Sequence, residues 1–182
     1  MTPKILDDIV IRLREAAIAD DQAKAVRDVL ETTLLDSDAM AKAVASMVDD
    51  EVMLFEDDTC SIWTCRFDND IVLPPHEHRM AVHIAVYQGA ELELLYQRDS
   101  DRLVHTRNEL VSAGNVVNLD SDAIHAVTAE GSTQSHAIHV YEGPLMQIKR
   151  SLFDWDTGKA VEFTMENLHA MARKKSEMED IL

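Results

Sequence analysis

Apolar residues recur at helical spacing through the first quarter of the chain. Ile5, Ile9, Leu13 and Ala16 form one stripe. Val26, Val29, Leu30 and Leu34 form a second, and Met40, Val44, Met47 and Val48 a third. The spacing predicts helices across residues 3–48, with no proline after Pro3 to interrupt them. Asp20 or Asp21 is placed to cap the second helix and Ser37 the third. The stripes read as faces packed on the rest of the domain. Dimer formation is the rival use.

The period changes near residue 51. Segments 52–55, 61–67 and 71–73 are short and rich in β-branched and aromatic residues, with Asp57-Asp58 and Asp68-Asn69-Asp70 as turns between them. Segment 81–87 follows, then a turn at Gln88-Gly89. Segments 92–97 and 103–106 make a hairpin around residues 98–101, and 116–119, 124–129 and 134–141 complete the series. Many short strands at regular spacing predict a mainly-β antiparallel sandwich or barrel. Residues 164–180 return to helix, with Thr164 as cap and Leu168, Met171 and Ala172 on its apolar side. The chain thus divides into a helical segment, 1–50, packed on a barrel with a C-terminal helix, 51–182.

Composition narrows the partners. The 182 residues, 46% of them hydrophobic, suit one buried core with an appendage. The formal net charge of -17 argues against phosphate backbones and anionic lipid, hence against nucleic-acid and membrane binding. With no basic apolar leader and no long apolar run, a soluble cytoplasmic protein is expected. Cys60 and Cys65, at odd separation, face opposite sides of one strand and read as reduced core thiols.

The chemistry centres on Pro74-Pro75-His76-Glu77-His78. Histidines two apart on a strand project from one face, so His76 and His78 can grip one metal ion. Two imidazoles are an incomplete set for a divalent metal. The competing reading is packing. His83 and His136 are out of phase with the site, and His105 and His169 read as solvated. Glu91 and Glu93 are expected at the surface, supplying a carboxylate only if their strand bulges. Asp120 and Asp122 read as turn formers, with Asp120 or Asp122 bonding to His125 as the lesser use. Trp63 and Trp155 read as packing.

The histidine pair also carries a resemblance. Small metal-binding jelly-roll barrels, the cupins, show G-x5-H-x-H-x(3,4)-E-x6-G and then G-x5-P-x-G-x2-H-x3-N. Here the first is met by His76, His78 and Gly89, with Val82 where the glutamate would stand. The second is met by Gly114 and His125, with Asp120 and Asp122 replacing proline and glycine and Ala129 replacing asparagine. The resemblance implies a cupin double-stranded β-helix and a metal site of His76, His78 and His125. Segment Ala137-Ile138-His139-Val140-Tyr141-Glu142-Gly143-Pro144 resembles the Ser-x-His-x-Tyr segment of cysteine dioxygenase, with Ala137 in the serine's place. Residues 76–80, with Val86-Tyr87, are closer still to the uncharacterised bacterial branch of cysteine-dioxygenase-type cupins.

That resemblance implies Fe(II), with Ni, Zn or Cu as other divalent metals imidazole accepts. Three neutral imidazoles leave positions for a chelating anionic substrate and for O2. Tyr141 would hydrogen-bond the reacting group and His139 would orient the Tyr141 hydroxyl, since residues 137, 139 and 141 share one strand face. Other functions compatible with these residues are carbon–carbon cleavage of a β-dicarbonyl-like substrate and non-catalytic binding of a metal or small ligand. No Tyr–Cys cofactor is expected. Residues 53–58 offer no arginine where cysteine dioxygenase reads its substrate carboxylate, and Arg79 points outward unless the chain twists. Free cysteine is therefore expected to be a poor substrate, and any thiol or chelating substrate to be held mainly by the metal and by apolar walls such as Val82 and Ile84. A homodimer or larger assembly is expected.

Overall fold

The computed structural model describes residues 2–100 and 102–178. Three helices lead: α1 (Lys4–Ala17), α2 (Gln22–Thr33) and α3 (Ser37–Ala45). Then come β1 (Glu51–Glu56), β2 (Ser61–Cys65), β3 (Ile71–Glu77), β4 (Val82–Gln88), β5 (Ala90–Asp99) and β6 (Arg102–Ser112). The barrel continues with β7 (Val116–Leu119), β8 (Ile124–Ala129), β9 (His136–Tyr141), β10 (Ser151–Phe153) and β11 (Ala160–Glu162). Helix α4 (Met165–Met171) and a two-residue strand β12 (Arg173–Lys174) follow. None of the described helices is long and apolar enough to cross a membrane.

The strands form two antiparallel sheets, ordered β1-β2-β9-β4-β7 and β11-β10-β3-β8-β5-β6, with β12 paired to β3. The two sheets make the double-stranded β-helix, the jelly-roll barrel expected from the sequence. Alternation sorts side chains between the faces of each sheet. On the first sheet, Ile62, Ala85, Tyr87, Ile138 and Val140 point outward and share a core with the helices. Val82, Ile84, Val86, Ala137 and Tyr141 belong to a different cluster, on the inner side. The helices form because their stripes have this outer face to cover. Leu6, Ile9 and Leu13, then Val26 and Leu30, then Met40 and Val44, are buried against it. Apart from Val48, which is exposed, these stripes pack within the chain.

Local signals were met unevenly. The Asp21 side chain accepts a hydrogen bond from Lys24 N and caps α2. Ser37 does not cap α3; its hydroxyl donates to Leu34 O, and the third helix ends at Ala45, leaving Val48 beyond it and exposed. Thr164 caps α4 through Asn167 N, but the helix predicted over 164–180 stops at Met171. The chain then pairs with β3, where Arg173 meets Val72 and Lys174 meets Ile71. Backbone pairing with a free strand edge wins over further helix here. Residues 179–180, and Asp101 of the predicted hairpin turn, lie outside the described residues. Gly89 turns β4 into β5 at φ +69°, and a Cβ there would meet Gln134 O at 2.9 Å, so only glycine fits without a shift.

Candidate metal centre

His76 and His125 are direct cross-strand partners on β3 and β8, while His78 follows the end of β3. All three are buried, and their metal-capable nitrogens lie within 4.8 Å of one another. The imidazole centroids of His76 and His125 are 4.3 Å apart, and those of His78 and His125 5.0 Å. The sequence-predicted trio therefore meets at one point.

Hydrogen bonds behind two of the rings bear on which nitrogen faces inward. His76 Nδ1 is 2.9 Å from Pro74 O, an acceptor only, so Nδ1 carries the proton and Nε2 presents a lone pair. His125 Nδ1 lies 2.5 Å from Glu93 Oε2, which selects the same tautomer when the carboxylate is ionised. His78 Nε2 faces His125 Nε2 at 2.9 Å, and His78 Nδ1 is buried with no partner. Burial first, then mutual repulsion, holds His76 and His78 well below the usual imidazole range. Burial and the charge on His139 bring His125 down to about 3. Three neutral imidazoles with their ring nitrogens gathered at one buried point are a donor set that suits a cation.

The buried charges point the same way. Glu91 and Glu93 are both 0% exposed, which corrects the expectation of surface carboxylates. Glu91 Oε2 is 3.2 Å from His139 Nε2, and Glu91 Oε1 accepts from the Ser135 hydroxyl. Burial alone would lower the His139 pKa, but Glu91, with Glu93 and Glu51, turns the shift upward. His139 is thus favoured as a cation beside Glu91. Glu93 is left over: Oε1 has no partner, and burial with the neighbouring Glu91 charge pushes its carboxyl well up. A cation at the histidines would supply the missing countercharge and keep the shared proton on His125 Nδ1. The residues fit a divalent metal.

Tyr141 and His139 stand beside this trio. The Tyr141 and His78 rings are 4.8 Å apart, and Tyr141 Oη is 3.4 Å from His139 Nδ1. Burial pushes the Tyr141 pKa well up, so the phenol stays protonated. The pocket above has a volume of about 420 Å³. Trp63, Cys65, Phe67, Leu73, Leu145 and Phe163 are among its walls, and Trp63 also packs against the core. Val82 and Ile84 are not among the lining residues; they pack in the inner cluster of the first sheet.

Other predicted residues fall outside. His83 faces away and bonds Glu142 at 2.7 Å; His136 Nδ1 donates to Ala41 O. His105 bonds Asn108 Oδ1 at 2.6 Å and is half-buried rather than fully solvated, while His169 is exposed. Asp120 and Asp122 occupy an exposed turn where Ala123 N donates to Asp120 O, and Glu93, not either aspartate, bonds His125. Arg79 adopts φ 59° and pairs with Glu77 at 2.8 Å on the surface, so it does not enter the pocket. The residue missed was Arg150, which lines the pocket with its Cζ 3.3 Å from the Phe163 ring centroid. The only hint lay in its basic charge within an acidic chain.

Comparison with protein-family models and with curated proteins finds no match. The fold is similar to a solved protein of Bacillus halodurans, at TM-score 0.50 and 13% identity over 67% of this chain and 84% of that one. Lesser similarities include an RmlC-like cupin with a double-stranded β-helix from Methanocaldococcus jannaschii, at TM-score 0.44 and 13% identity over 56% of this chain and 89% of that one. Hydroquinone 1,2-dioxygenase from Sphingomonas sp. gives TM-score 0.44 and 12% identity over 56% and 71%. At such identities the likeness concerns the fold alone.

Proposed function

We propose that this protein is a non-heme Fe(II) dioxygenase of the thiol-dioxygenase type, adding both atoms of O2 to a small thiol or other chelating substrate. The observation that carries this reading is the convergence of His76, His78 and His125, held neutral by burial, next to Tyr141 in one pocket. Fe(II) at that point would supply a Lewis acid that deprotonates a thiol and a centre able to exchange electrons with O2.

The chain's own residues do the rest. Neutral ligands leave positive charge at the site, which favours an anionic substrate. Glu93 holds His125 in register through Nδ1, and Pro74 O does the same for His76. With His139 protonated, Nε2–H donates to Glu91 and Nδ1–H is directed at Tyr141 Oη. Tyr141 can then direct its own proton toward the pocket, where it stabilises negative charge developing on the reacting group. The apolar walls exclude water around that charge.

Oxygen uptake by the Fe(II)-loaded protein, measured with panels of thiols and of β-dicarbonyl compounds, tests the reading. Thiol-dependent uptake with a sulfinate product supports it. Uptake only with dicarbonyls would reassign it to carbon–carbon cleavage, and uptake with neither would leave a binding protein.

A further inference from the structure

A buried carboxyl stands behind His139. Glu91 leaves β5 toward the barrel interior, is 0% exposed, and places Oε2 3.2 Å from His139 Nε2. Its other oxygen, Oε1, accepts from the Ser135 hydroxyl at 3.2 Å. Ser135 is itself pinned to Phe67: its Oγ accepts from Phe67 N, and its own N–H donates to Phe67 O. With a lone pair of that hydroxyl engaged by Phe67, its proton turns to Glu91. Both carboxylate oxygens thus face donors. Ala137, two residues before His139 on the same strand face, has no polar atom to share the task.

His139 has two ring nitrogens and two neighbours. Nε2 meets Glu91, and Nδ1 lies 3.4 Å from Tyr141 Oη. With one ring proton, at Nε2 against the carboxylate, Nδ1 presents a lone pair and the Tyr141 hydroxyl must donate to it. With two, Nδ1–H donates to Tyr141 Oη, and the phenol proton is released toward the pocket. A single proton therefore decides which way Tyr141 points. Burial opposes that second proton most strongly, and Glu91, Glu93 and Glu51 together overcome it. The other groups facing the ring add little: His76, His78 and His125 are neutral, and burial keeps the Cys65 thiol and the Tyr141 phenol protonated. Arg150 in the pocket wall and a cation at the three histidines work against the proton, and Glu93, bonded to His125, offsets that cation.

We propose that Glu91 is a positioning residue: it holds His139 as an imidazolium, so that the Tyr141 hydroxyl donates into the pocket instead of to His139. This rests on the oxygenase reading for what the donated proton does to a reacting group, and on the hydrogen bonds alone for the state of His139.

The test is heteronuclear NMR of the zinc-loaded protein, in which no turnover occurs, labelled in its histidine rings. The His139 signals are assigned by their loss in His139→Gln. Both ring nitrogens of His139 should carry protons at neutral pH. Glu91→Gln, which keeps shape and removes the charge, should leave one ring proton at neutral pH, with the His139 pKa lowered by at least about one unit, a tenfold loss of proton affinity. A neutral His139 in the unaltered protein at neutral pH overturns the proposal, and that reading decides even if Glu91→Gln fails to fold. An imidazolium that survives Glu91→Gln overturns it too, since the carboxylate would then not be what holds the proton. If the imidazolium is present and depends on Glu91 while no thiol drives oxygen uptake, the oxygenase reading fails and this one stands. Thiol-dependent uptake with a neutral His139 is the reverse.

Discussion

Replacing Glu93 by Gln keeps shape and removes one buried charge. In the metal-free protein that charge is poorly placed: Oε1 has no partner and the carboxyl is pushed well up by burial and by Glu91. Its removal should therefore be neutral or stabilising before metal is added. With metal bound the sign reverses. The carboxylate 2.5 Å from Nδ1 fixes the His125 tautomer and offsets the cation's charge. Losing such a partner typically weakens metal binding about 10- to 100-fold, or ~1.4–2.8 kcal/mol. Gln can also turn its amide to donate to Nδ1, which would move the His125 proton to Nε2 and worsen the loss. Urea melts of metal-free protein and competition titrations with a chelator would read both effects. A less stable metal-free variant with unchanged metal affinity would show that Glu93 serves folding only, and would refute the charge argument.

Tyr141→Phe should keep its metal content and lose about a hundredfold in turnover; parallel loss of both would make Tyr141 structural. Acid should destabilise the metal-free protein. His125, at about 3 when folded against an ordinary ~6.5, takes up its proton first in the unfolded chain. Its contribution is full above pH 6.5 and falls by ~1.4 kcal/mol per unit below that. His76 and His78 shift the same way. His139 and Glu93, shifted upward, bind protons more tightly when folded and offset part of the loss. Urea midpoints that stay flat from pH 6.5 to 5 would contradict this. Leu13→Ala, under the first sheet, should cost about 2–5 kcal/mol; a smaller effect would mean that the helices add little to the barrel.

The parts of the site that could be read from the chain were those set by strand period. His76 and His78 two apart, and His139 and Tyr141 two apart, have side chains on shared faces whatever the fold does elsewhere. The spacing from Gly114 to His125 carried the third histidine. Glu91 and Glu93 alternate with Leu92 and Leu94 just as clearly, yet alternation does not say which face is the interior. Here the outer face of β5 is itself covered, with Leu92 and Leu94 in a cluster with Met178 and Trp155. The leucines are therefore buried outside the barrel and the glutamates inside it. Arg150 lies just before β10, after a 3-10 turn at Leu145–Gln147, in a stretch with no period to betray its direction. Its place follows from Phe163, distant in sequence. The early end of α4 was hidden for a related reason, since β12 exists only because β3 offers it an edge.

The central claim is that His76, His78 and His125 together hold one divalent metal. Metal analysis of untagged protein after anaerobic dialysis against Fe(II), beside His76→Ala and His125→Ala, tests it most directly. About one metal per chain in the unaltered protein, and near none in either variant at the same free Fe(II), is the predicted result. A His125→Ala protein that folds and keeps its metal with undiminished affinity would contradict it.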